Sequence, residues 1–185
     1  WEVDCPDSQP SYRVRTLPRG ELQGRFFIPT SVLVATHDSL MQFAQWGRED
    51  GGHEGIVYWA GREASDCTIF LQAILPVAVH GPGYVQVSRS EIGRTQRAAR
   101  AFHLGVLAQV HSHPGWDARH SDGDDDMILL PFEGMLSVVA PEYGREMRTA
   151  QDLCLHQYQA GAWVLCSTAS VERQFIEVPS LHDLT

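Results

Sequence analysis

Residues 104–111 read Leu-Gly-Val-Leu-Ala-Gln-Val-His and run directly into Ser112, His113 and Pro114. An apolar run of this length reads as a strand covered on both faces, which places it at the centre of a sheet with helices packed on it. Pro114 stops the strand, because proline has no N–H to give to a sheet ladder. The residues before it supply a covering helix. Ser88-Arg89-Ser90-Glu91 has the S-x-x-E form of a capping box. After it, Ile92, Ala99 and Phe102 can face the core while the arginines face out, and the helix should end near His103.

The other segments fit around this helix and strand. Arg25 to Leu33 is apolar enough for a first strand, interrupted at Pro29. From Thr36 to Trp46, Leu40, Phe43, Ala44 and Gly47 follow helical spacing. His53 to Gly61 is a buried-strand candidate, and so is Asp66 to Val79 with a break at Pro76. His80 to Gly83 is a turn, and Tyr84 to Val87 alternates briefly. Gly134 to Ala140 is a further strand. Asp152–Tyr158 and Ala162–Ser167 form a hairpin around Ala160-Gly161, and Glu172 to Val178 adds an edge strand. The order predicts an α+β fold: one mixed sheet, two main helices and a short third helix after the histidines. Residues 1–24 read as an irregular lead-in and 25–185 as one domain.

Composition narrows the functional classes. A net charge of −9 disfavours nucleic acid and anionic membranes as partners, since their phosphates would be repelled. The longest apolar stretches, such as Ala73 to Val79, are too short to span a bilayer. Cys5, Cys67, Cys154 and Cys166 contain no C-x-x-C pair and read as reduced thiols of a cytoplasmic protein. A Cys154–Cys166 bridge is compatible with the spacing but not required.

His111 and His113, two apart on a strand, point to the same face, where two imidazoles can converge on one ion. Alone, H-x-H is more often simply a polar strand end. Ser121 and Asp124 open a helix and match a capping box. They also share a helix face, so Asp124 can supply an oxygen ligand to the same ion. Two histidines, a carboxylate and a water make the open, catalytic type of zinc site. A base must still handle the proton of that water, and Glu54, at the head of His-Glu-Gly-Ile-Val-Tyr-Trp-Ala-Gly, is the candidate. His120 reads as a loop or substrate-facing residue. Trp116, at the loop tip, suits either a substrate tail or a plain loop anchor. Asp122, Asp125 and Asp126 read as a solvated helix start. His37, His53, His80, His103, His156 and His182 read as structural or surface residues.

Taken together, His111-x-His113, seven residues, Ser121, two residues and Asp124, with Glu54 upstream in Glu-Gly-Ile-Val-Tyr-Trp-Ala-Gly, resemble the motif of JAMM (JAB/MPN) metalloproteases. The resemblance covers roughly residues 25 to 145. It implies a curved mixed sheet flanked by helices. It also implies Zn²⁺ on His111, His113 and Asp124, Glu54 as base, and Ser121 donating to the oxyanion. The implied reaction is hydrolysis of the amide after the C-terminus of a ubiquitin-like protein, either on lysine or in a precursor. The short chain and the run Phe-Glu-Gly-Met-Leu-Ser-Val-Val-Ala-Pro-Glu-Tyr-Gly are similar to prokaryotic members found beside ubiquitin-like activating and conjugating enzymes. The alternatives are a non-catalytic scaffold of the same fold and a hydrolase of another amide.

Overall fold

The computed structural model describes residues 16–121, 123–124 and 131–179. The readings placed on Cys5, Asp122, Asp125, Asp126 and His182 lie outside the described residues. Eleven strands are described: β1 (Arg19–Gly20), β2 (Arg25–Pro29), β3 (Ile56–Glu63), β4 (Cys67–Ile74), β5 (Val79–Gly81), β6 (Tyr84–Gln86), β7 (Gly105–Ser112), β8 (Leu136–Ala140), β9 (Cys154–Gln159), β10 (Ala162–Cys166) and β11 (Phe175–Val178). The helices among the described residues are α1 (Thr30–Trp46), α2 (Arg89–Arg100) and α3 (Thr168–Gln174), with Gly123 and Asp124 also helical.

Nine strands form one mixed sheet in the order β1-β10-β9-β8-β7-β3-β4-β2-β11, and β5 and β6 form a separate hairpin. The apolar strand β7 lies at the centre, antiparallel to β3 and parallel to β8. The sheet curls around one core. Cys166, on β10 near one edge, and Phe175, on β11 at the other, belong to the same buried cluster. Trp59, Phe70 and Phe175 are fully buried and packed ring to ring with Phe26. α1 closes this face, where Thr36 Oγ1 accepts the Trp59 indole N–H at 2.8 Å. α2 and the β5–β6 hairpin pack on the other face through Ile92, Val85, Ala99 and Leu104.

The strands and helices lie close to where the sequence puts them, with four informative differences. α1 begins at Thr30 rather than Thr36, since Val32, Leu33 and Thr36 already lie on its buried face. Pro29 ends β2 and precedes the first turn, where a fixed φ near −60° is tolerated and no ladder donor is needed. Phe102, expected in the core, is 64% exposed, because α2 has already ended and turned. The tail strand is shorter than expected, since Thr168–Gln174 form α3, capped by the Ser167 side chain. Within the expected lead-in, Arg19 and Gly20 pair with β10, and the buried Leu22 donates its N–H to Ser170 Oγ. Cys67, Cys154 and Cys166 are free thiols, so no bridge links the last two. Among the described residues no helix is long and apolar enough to cross a membrane.

Phe70 lies fully buried in the ring cluster of the core. Phe70→Ala should therefore cost about 3–5 kcal/mol, the usual penalty for emptying a buried aromatic site. A urea melt of the variant, compared at equal m-value, measures it.

Candidate metal centre

β7 delivers the two histidines. Alternation sends Ala108 and Val110 to the main core and His111 and His113 to the opposite face. Beyond β7 the chain stays pinned. The His113 N–H donates to Ala140 O at 2.9 Å, and its carbonyl accepts from the Tyr143 N–H at 2.7 Å. The His113 ring is oriented from behind by its Nδ1, which donates to the Asp117 carbonyl at 2.9 Å. That bond fixes the tautomer and turns the Nε2 lone pair toward the site.

Asp124 meets the histidines from the start of the helix after the loop. His111 Nε2 is 3.1 Å from Asp124 Oδ1, His113 Nε2 is 3.3 Å from Asp124 Oδ2, and the two Nε2 atoms are 3.2 Å apart. Ser121 and Asp124 form a reciprocal capping box: the Ser121 N–H donates to Asp124 Oδ2 at 2.6 Å and the Asp124 N–H to Ser121 Oγ at 3.3 Å. The cap therefore places the carboxylate, and the capping-box reading of this pair holds.

Electrostatics fit a cation at this point. His111 is fully buried and Asp124 nearly so. Burial raises the Asp124 carboxyl, but the charge of His111 and the hydrogen bonds from both imidazoles outweigh it and hold the group well below the usual carboxylate range. Burial pulls His113 down, yet the bond and charge of Asp124 and the Asp117 carbonyl carry it up to about 9. A cation placed among the three groups would take over the part that the imidazole protons play toward Asp124. Ligand edges of about 3.3 Å are those of a tetrahedron with bonds of about 2.0–2.1 Å, as for zinc on nitrogen and oxygen. His111, His113 and Asp124 are the group of side chains, among the described residues, whose ligand atoms converge as a metal site requires.

Glu54 reaches this cluster through a backbone clamp. The Gly55 N–H donates to Ser112 Oγ at 2.9 Å, and the Ser112 N–H donates to Gly55 O at 3.0 Å. The Glu54 N–H donates to Gly81 O of the β5–β6 hairpin. Gly55 has to be glycine, since a Cβ there would lie 2.5 Å from the Phe43 ring. Glu54 is 6% exposed, and burial lifts its carboxyl to about 8, with His113 pulling down and Asp124 pushing up. It thus lies within electrostatic reach of two of the three ligand residues. Tyr143, whose hydroxyl donates to Pro82 O, lies within reach of its charge as well.

Of the five residues expected at the site, His111, His113 and Asp124 converge, Ser121 caps Asp124, and Glu54 lies within reach of the charges of His113 and Asp124, while His120 differs from expectation. His120 lies in the loop, as expected, but does not face outward toward a substrate. It is fully buried, 2.7 Å from Ser137 Oγ and stacked on His156 at 4.1 Å between ring centres. The structural readings of the other histidines fit: His156 is buried, and His53 and His80 pair through their Nδ1 atoms at 2.8 Å. Ser112 went unnoticed, though its position between two same-facing histidines already aims it at the opposite face. The carbonyl of Asp117 carries no signal in the sequence, because any residue has one. Trp116 is 72% exposed beside a groove of about 550 Å³ that also includes Arg19, Pro141, Leu153, Leu165 and Thr168.

The family model described as prokaryotic homologs of the JAB domain matches residues 36–176. Probable metalloprotease y4jG of Sinorhizobium fredii is 34% identical over 99 residues, 51% of this chain and 60% of that protein, so the match spans less than two thirds of the relative's length. The solution structure of protein DSY2949 from Desulfitobacterium hafniense shares the fold, with a TM-score of 0.61 and 13% identity over 84% of this chain and 94% of that one. The crystal structure of a JAB1/MPN domain protein from Archaeoglobus fulgidus gives a TM-score of 0.41 at 14% identity, covering 82% of this chain and 97% of the other.

The clamp between Ser112 and Gly55 can be tested apart from the ligands. Ser112→Ala leaves a buried N–H without its acceptor and should cost about 1–3 kcal/mol in urea unfolding. Bound metal, measured by elemental analysis of the folded variant, should stay at the wild-type level.

Proposed function

The chain belongs to the family of prokaryotic JAB-domain homologs, and from that membership we propose that it is a zinc-dependent amide hydrolase acting after the C-terminus of a ubiquitin-like protein. The observation that carries the reading is the convergence of His111, His113 and Asp124 at 3.1–3.3 Å beside the buried carboxyl of Glu54. A zinc ion held by these three residues would supply a water of lowered pKa and a Lewis acid for the substrate carbonyl.

The residues around it divide the remaining work. Glu54 takes the proton of the attacking water and passes it to the leaving nitrogen. Its buried position within reach of the charges of His113 and Asp124 suits that task, because the proton has to travel there. Ser121 is half-buried and spends its oxygen lone pair on the Asp124 N–H, which leaves its own O–H to donate to the developing oxyanion. The Asp117 carbonyl keeps His113 in the ligating tautomer. Pro114, Gly115 and Trp116 leave an exposed rim next to the ligands, and the groove beside Trp116 is the right size and partly apolar character for an extended peptide tail.

Deconjugation from lysine and maturation of a precursor use the same chemistry, and under either the proposed partners are the activating and conjugating enzymes of a bacterial ubiquitin-like system, with the cytoplasm as the proposed compartment. The name of the Sinorhizobium relative, a probable metalloprotease, supports the reaction class. The choice of a ubiquitin-like substrate rests on the motif. The net charge of −9 favours a protein substrate over nucleic acid.

The test is cleavage of a ubiquitin-like fusion encoded beside this chain, with and without a zinc chelator. Chelator-sensitive release of the modifier is expected, and a zinc-loaded protein inert toward the cognate modifier contradicts the assignment. Glu54→Ala should retain zinc and lose about 10²–10⁴-fold in turnover. His113→Ala should lose both zinc and turnover, read by elemental analysis and the same assay.

A further inference from the structure

The stretch from Pro114 to Ser121 carries Ser121 and leads into Asp124, yet almost all of it faces solvent. Its ion pair, Asp117 with Arg119, is exposed, and exposed pairs hold little geometry. His120 is the one buried residue in it. Its ring enters a pocket beneath the metal ligands formed by Ser137, His156 and Trp163. Ser137 and His156 are fully buried and Trp163 nearly so.

The contacts there are specific. His120 Nε2 and Ser137 Oγ share a hydrogen bond of 2.7 Å. His156 Nδ1 donates to the carbonyl of the same Ser137 at 3.3 Å. The two imidazoles stack at 4.1 Å and 26°, and the Trp163 ring meets His120 edge-on at 5.4 Å. Ser137 is held in register between Gln109 of β7 and His156 of β9, and Gln109 lies two residues before the ligand His111 on the same face. The His120 ring itself is 6.3 Å from the His111 ring. On its other side, His120 is peptide-bonded to Ser121, whose N–H holds Asp124 Oδ2 at 2.6 Å.

A continuous mechanical path therefore runs from the rigid sheet to the carboxylate ligand: Ser137, His120, the Ser121 backbone, Asp124. Burying two imidazoles is expensive, and one nitrogen of each offsets part of that cost through the hydrogen bonds to Ser137. Burial first, and the mutual repulsion of the pair second, push His120 down to about 2, so it stays neutral. A neutral imidazole wedged between a serine and an aromatic stack is a fixed spacer, which a flexible aliphatic residue would not be.

We propose that His120 is a positioning residue for the metal centre: docked on Ser137 and stacked on His156, it sets where Ser121 and Asp124 stand relative to His111 and His113. The inference rests on the metal reading of those three ligands.

The experiment measures metal affinity by competition with a chromophoric chelator, and the d–d spectrum of the cobalt-loaded protein, on wild type and three variants. His120→Phe keeps the stack and loses the polar contact. Ser137→Ala removes only the hydroxyl partner. His120→Gln returns an amide N–H near the place of Nε2. Affinity should fall about 10–100-fold in the first two, the range typical of residues that orient metal ligands. The cobalt band should shift in both, and His120→Gln should recover most of the loss. If His120→Phe does not fold, Ser137→Ala decides alone. Variants that unfold earlier in urea yet bind metal and absorb like wild type overturn the inference, leaving His120 a packing residue. A wild-type protein that takes up no metal removes the metal reading and this inference together.

Discussion

A carboxylate at 3% exposure, facing two imidazole nitrogens on the face of the sheet opposite the main core, needs positive charge beside it to stay ionised. Asp124 is in that position, and most of the site can be read as the means of making it tolerable. The cap at Ser121 donates one hydrogen bond, His111 and His113 close on its two oxygens, and Glu54 adds a second carboxyl that burial keeps inclined to hold a proton. A dication among these groups resolves the arrangement, because it satisfies the carboxylate and both lone pairs at once.

The fold serves this point by bringing distant segments to one end of β7. The strand supplies two ligands, the helix start after the loop supplies the third, and the β3 lead-in brings Glu54 alongside through the Ser112–Gly55 clamp. The large apolar core, with Trp59, Phe70 and Phe175 at its centre, lies on the opposite face and carries the stability. That separation lets the site face hold polar groups without weakening the core. Gln109, Ser137 and His156 form a polar row across three neighbouring strands there, an arrangement an apolar-only rule would not predict.

Much of this was legible in the sequence because it rests on local chemistry. The N-cap at Ser88, the proline stop at Pro114 and the two-residue spacing of His111 and His113 each follow from backbone geometry, although Glu91 accepts the Val77 N–H instead of closing the expected box, and the convergence of His111, His113 and Asp124 followed from the motif. What was misread depends on long-range packing. His120 is next to a loop serine and polar, so it looks exposed, and only the register of β8 and β9 reveals the pocket that takes it. Phe102 looks like a core residue because the helical period continues past the point where α2 turns. Val32 and Leu33 look like strand because an apolar run beside a proline fits either element.

The most direct measurement is X-ray absorption at the zinc edge of the zinc-loaded protein. The account predicts one tightly bound ion per chain with only nitrogen and oxygen neighbours, at about 2.0–2.1 Å, and the multiple scattering of two imidazoles. Sulfur neighbours at about 2.3 Å, or an ion with no imidazole signature, would contradict it.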